Sequence, residues 1–147
     1  MKSDIKEVLS IPAGKSYPSI EATLIHSCPT SYSYKPARYI TFRKQGGAME
    51  ALYKVEAGFT IKPHDRDTIQ RLNPRYRDRV QNYINQRMRE WPFADREDRR
   101  FYVLSETDQI DLPHRPHLRQ NIRGHCYFTL DELLSGNKIV EVAYKRR

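Results

Sequence analysis

The chain has 147 residues, the size of one domain, and a mean hydropathy of −0.82. No apolar run approaches the roughly 20 residues that a membrane-spanning helix needs. Its 26 lysines and arginines against 18 acids leave a net charge of +8 and a pI near 9.6, which favours polyanionic partners by attraction and counterion release.

Ten tyrosines, five phenylalanines and Trp91 predict an aromatic-rich core. Cys28 and Cys126 are the only cysteines and are expected as free thiols in the cytoplasm. The start of the chain, Met1 to Leu9, mixes acids with lysines and lacks the apolar stretch of a secretory signal. Ile5, Val8 and Leu9 have helical spacing, with Ser3 as the expected N-cap. Ile11 to Ala37, with four prolines, is expected as a loop-rich N-terminal stretch holding a short strand over residues 21–25.

Arg38-Tyr-Ile-Thr-Phe-Arg43 is rich in strand formers, and Gln45-Gly46-Gly47 supplies the permissive residues of a hairpin turn. Tyr53, Val55, Ala57, Phe59 and Ile61 then alternate with polar or small residues, the period of a half-buried strand. Asn73-Pro74 opens the longest helix, whose apolar stripe runs through Tyr76, Val80, Tyr83, Ile84, Met88 and Trp91 before Pro92. By helical phase Arg87 falls inside that stripe, so it must snorkel, pair, or touch something outside the core. Residues 100–104 and 109–112 are expected as a second hairpin turning over Ser105 to Asp108. Gly124 to Phe128 reads as a strand. Thr129 and Glu132 form a capping box on a short helix ended by Gly136-Asn137, and Ile139 to Tyr144 forms a last strand. The fold class is α+β: a single domain over 1–147, with a loop-rich N-terminal segment over 1–37, a curled, mostly antiparallel sheet or barrel, one long helix and one or two short ones.

No phosphate loop or nucleophile elbow is present, and no cofactor or metal is expected. His114, His117 and His125 lie near Cys126. The Pro116 between the first two prevents a helical pair, and paired cysteine spacing is missing. Two hydrolytic alternatives stay open: a ribonuclease using the three histidines, or a hydrolase using Lys54 and Glu56 on one strand face.

The charge pattern points elsewhere. Arg75, Arg79, Asn82, Gln86 and Arg89 share one helical face, as donors for a run of phosphates would. Pro113 to His125 carries Arg115, Arg119 and Arg123 with no acid, and reads as a surface loop. Arg38 beside Tyr39, and Arg99 and Arg100 beside Phe101 and Tyr102, interleave cations with rings that can stack on unpaired bases.

Taken together, residues 38–43, the alternating strand through Phe59, residues 100–104 and the run Arg123-Gly-His-Cys-Tyr-Phe-Thr-Leu-Asp-Glu-Leu-Leu134 resemble the PUA-like superfamily. The resemblance is particularly to the EVE and ASCH-type branches and spans about residues 38–136. It implies a small barrel whose cleft reads RNA, or a flipped and often modified DNA base, between aromatic walls. By position those walls are Tyr39, Phe42, Tyr53 and Tyr102, with Arg38, Arg43 and the other arginines on the rim. The single Trp91, placed in the long helix, departs from the tryptophan-bearing pocket of such base readers. Some ASCH-type members are hydrolases using a lysine and a carboxylate, which is what brings Lys54 and Glu56 forward. The expected partner is therefore RNA or DNA, with no membrane. The further alternative is a basic factor that meets an acidic protein.

Overall fold

Hairpin segments and one amphipathic helix dominate the chain, and a computed structural model describes residues 6–32, 34–90, 92–93, 97–120 and 122–143. The strands are β1 (Lys6–Pro12), β2 (Ile25–Pro29), β3 (Ala37–Arg43), β4 (Ala51–Ile61), β5 (Arg99–Asp111), β6 (His117–Leu118), β7 (Cys126–Phe128) and β8 (Ile139–Val140). The helices are α1 (Tyr17–Thr23), α2 (Arg66–Gln70), α3 (Pro74–Glu90) and α4 (Leu130–Leu134). Six strands form one sheet in the order β2-β5-β4-β3-β1-β7, and β6 pairs with β8 in a second, two-stranded sheet. The class is α+β, as expected. The pairs β2–β5, β3–β4 and β1–β7 are antiparallel, whereas β1 and β3 run parallel, so the large sheet is mixed. Among the described residues, no helix is long and apolar enough to cross a membrane.

Several local expectations hold. Asn73 caps α3, its Oδ1 accepting from the Arg75 amide at 2.9 Å, and Val80, Tyr83 and Ile84 are buried along the helix. Along β4 the alternation appears as burial: residues 54, 56, 58 and 60 are exposed between more buried neighbours. Thr129 caps α4 by accepting from the Glu132 amide. The other half of that capping box is redirected, because Glu132 accepts from the Glu141 amide at 2.9 Å.

Four expectations are corrected. Residues 6–12 form a strand, not a helix. β1 lies between β3 and β7, and Val8, Leu9, Ser10 and Ile11 are all buried, so no period of two marks it as a strand. Ser3 and Ile5 lie outside the described residues. The strand expected over 21–25 is instead the end of α1, which Leu24 terminates with a left-handed φ of 58° before β2 begins. The second hairpin is one continuous strand, β5. Its turn-like composition survives as the Ser105 hydroxyl accepting from the amides of Thr107 and Asp108. The last strand is confined to Ile139–Val140, and Tyr144 and Trp91 lie outside the described residues. A further short helix, α2, arises where Asp65 accepts from the amides of Asp67 and Thr68.

The chain divides into two compact units, one over residues 1–17, 34–55 and 105–147, the other over 18–33 and 56–104. The first unit is built on Val8, Met49, Leu52, Leu112, Phe128, Leu133 and Val140. The second is aromatic. Phe101 is fully buried, stacked parallel to Phe59 at 5.9 Å and edge-on to Tyr83 at 5.9 Å. Arg87, the helix residue out of phase with its charge, is 5% exposed; its guanidinium lies 4.3 Å from the Phe93 ring centroid and donates to the Tyr83 hydroxyl. Both cysteines are free and buried, and burial pushes the thiol of Cys28 up to about 11 and that of Cys126 above its usual value.

Candidate functional site

The first unit contains a cleft of about 570 Å³. Its walls are Pro12 at the end of β1, Gly14 and Lys15 just after it, and the β3–β4 turn from Arg43 to Gly47. His117 and Leu118 of β6, with Ile122 and Arg123 beyond, complete it. Among the described residues, no carboxylate lines it. One wall comes from the acid-free run after Pro113, and another from the turn whose Gly46 and Gly47 take φ of 95° and 93°.

The cleft is strongly cationic. Lys15 and Arg123 are exposed and make no ion pair among the described residues. Lys44 pairs with Glu50 at 3.0 Å and lies 5.4 Å from the Tyr17 ring centroid. Arg43 also lines the cleft. It is 5% exposed and donates from Nη1 to the Ser10 hydroxyl at 2.8 Å and to Cys126 Sγ at 3.0 Å. Its Nη2 donates to the carbonyls of Ile122 (3.3 Å) and Gly124. These bonds fasten the segment that carries Arg123 to the end of β3.

The residues singled out from the sequence separate into four groups. Phe42 and Tyr53 are interior, and the Tyr53 hydroxyl meets that of Tyr17 at 2.9 Å; they are core, not the walls of an open cleft. Arg43 and Arg99 are interior as well. Arg99 donates to Ser27 and Glu97 and lies 5.0 Å from the Phe93 ring centroid. Arg75, Arg79, Arg115 and Arg119 already have partners. Arg75 pairs with Glu56 at 3.4 Å, Arg79 donates to the Leu104 carbonyl, Arg115 binds Asp111 and the Leu112 carbonyl, and Arg119 pairs with Glu141 at 2.6 Å. Arg38, Arg89 and Arg123 are exposed without an ion pair among the described residues, and Arg100 is exposed over the ring of Tyr102. Tyr39 and Tyr102 are half-buried.

Most residues of the two hydrolytic alternatives have other partners. The His114 ring meets the Leu133 carbonyl at 2.9 Å, and His125 packs edge-on to Tyr34 and Tyr127. Of the three histidines only His117 lines the cleft. Lys54 pairs with Asp108 at 3.9 Å, and Glu56 with Arg75. Among the described residues, no three His, Cys, Asp or Glu come together as a metal site would require.

Sequence reasoning missed Lys15, Lys44 and the backbone of the Gln45-Gly46-Gly47 turn. The pair Gly14-Lys15 between Pro12 and Pro18 was the available signal, since a glycine beside a cation in a constrained loop suits close approach by an anion.

No family model matches the sequence, and neither does any curated protein. Among solved structures the chain is similar to the crystal structure of a serine-to-alanine mutant of the ZmASCH protein from Zymomonas mobilis. The identity is 13%, 88% of this chain and 94% of that one are covered, and the TM-score is 0.49.

Proposed function

We propose that this protein binds nucleic acid, admitting a single unpaired nucleotide into the cleft formed by Lys15, the β3–β4 turn and Arg123. One observation carries the reading: the cleft is lined by lysines and arginines and, among the described residues, by no carboxylate. A site with cations on converging walls concentrates phosphate, and each phosphate neutralised releases counterions. At about 570 Å³ the cleft falls within the range of small-ligand sites and is too confined for a duplex. Within the first unit Arg38 is a further exposed cation, and within the second Arg89 and Arg100 are exposed and open to phosphate. Arg75 contributes only if phosphate displaces Glu56, and Arg119 only if it displaces Glu141.

Fluorescent single-stranded RNA and DNA titrated at several salt concentrations test this. Replacing Lys15 and Arg123 by alanine should weaken binding of every sequence alike. The slope of log affinity against log salt should shrink by about 1.4, the share of two phosphate contacts on a single strand. An unchanged slope in the double variant, or no saturable binding by the wild type, overturns the proposal.

A further inference from the structure

We infer that the cleft is built for a phosphate monoester: a mononucleotide, or the phosphorylated end of an oligonucleotide. This rests on the nucleic-acid reading above and specifies the ligand of the same site.

The argument starts from Arg43. The side chain is 5% exposed, and each of its hydrogen bonds goes to a neutral acceptor: the hydroxyl and carbonyl of Ser10, the sulfur of Cys126, and the carbonyls of Ile122 and Gly124. Among the described residues no carboxylate pairs with it. A buried cation without a counterion is costly, and a protein retains one where something else supplies the negative charge. Arg43 lines the cleft, so the place where that charge can come from is the cleft itself.

Both terminal nitrogens of Arg43 already serve interior acceptors, so it acts through space as a fixed charge rather than as a direct ligand. Direct contacts fall to Lys15 and Arg123, and to the backbone of the turn. The amides of Gln45 and Gly46 make no hydrogen bond among the described residues, while Lys44 and Gly47 close the turn around them with bonds of 3.0 and 2.7 Å. Successive unbonded amides in a tight turn are an anion-binding arrangement. Lys44 is largely neutralised by Glu50, which leaves Arg43, Lys15 and Arg123 as the unbalanced charges. Coulomb attraction scales with the charge of the guest, so such a site favours the dianion of a monoester over the single charge of a diester.

The test uses the full chain and three oligonucleotides of one sequence: 5′-phosphorylated, 3′-phosphorylated and bearing only hydroxyl ends. Adenosine monophosphate, adenosine and inorganic phosphate serve as competitors. One of the phosphorylated oligonucleotides should bind at least about tenfold more tightly than the hydroxyl-ended one. The monophosphate should displace it and adenosine should not, with inorganic phosphate weaker than the nucleotide. Lys15→Gln with Arg123→Gln, both at exposed positions, should abolish the preference without unfolding the chain. If all three oligonucleotides bind equally and the monophosphate does not compete, the monoester inference is overturned while nucleic-acid binding stands. If the monophosphate binds but no oligonucleotide does, the nucleic-acid reading falls and the monoester site survives.

Discussion

Replacing Arg43 by methionine will lower the melting temperature by about 10 °C. Two effects oppose each other. Removing a buried cation relieves its desolvation, but methionine has no donor for the acceptors that the guanidinium now serves. Hydrogen bonds from charged groups contribute about 1.5–3 kcal/mol each, and a buried acceptor left without a donor costs about 1–3 kcal/mol. The Ser10 hydroxyl and the carbonyls of Ile122 and Gly124 would all lose this donor, so the loss exceeds the relief by roughly 3–4 kcal/mol. At about 2–4 °C per kcal/mol for a chain of this size, that gives the stated shift. Arg43→Lys should recover little, because one ammonium cannot reach both Ser10 and the residue 122–124 carbonyls. A fall of less than about 3 °C in thermal denaturation of the methionine variant would show that these bonds do not hold the cleft wall.

Acid will destabilise the fold through His26. Burial, reinforced by the charges of Arg99 and then Arg87, lowers its pKa from 6.5 to about 3. Between those values the unfolded chain takes up a proton at this histidine and the folded chain does not, so stability falls as pH falls through that window and is complete above 6.5. The limiting slope is about 1.4 kcal/mol per pH unit, or roughly 3 kcal/mol between pH 6.5 and 4. Urea unfolding at pH 7, 5.5 and 4 checks it against His26→Gln, because carboxylates add their own acid dependence to both proteins. The variant should lose about 3 kcal/mol less than wild type on going from pH 7 to 4. Parallel losses would mean that His26 titrates normally.

Legibility in the sequence followed the locality of the signal. The β3–β4 hairpin, the capped helix α3 and the Thr129 cap were readable because turn glycines, Asn73-Pro74 and strict alternation act over a few residues. β1 was not, since its parallel partner β3 lies about thirty residues away and burial between two strands erases alternation. The joining of residues 99–111 into one strand was hidden because Ser105-Glu-Thr-Asp108 looks like a turn, and its serine does bind two amides as a turn serine would.

For the site, the acid-free run after Pro113 was informative: it supplies one wall of the cleft and Arg123. The arginine stripe on α3 was less so, because a helical wheel shows phase and not partners, and Arg75 and Arg79 are occupied by Glu56 and the Leu104 carbonyl. Composition could not separate a displayed arginine from one that holds the interior together. Arg43 and Arg99 belong to the second kind.

The most direct test of the cleft as the nucleic-acid site is a map of backbone amide shifts in a uniformly labelled sample titrated with a short single-stranded oligonucleotide. The account predicts that the largest shifts fall on Gly14, Lys15, Gln45, Gly46, Gly47, His117 and Arg123, and that they saturate together. Shifts that instead cluster on α3, or that leave the Gly14-Lys15 segment and the β3–β4 turn unmoved at saturation, would contradict it.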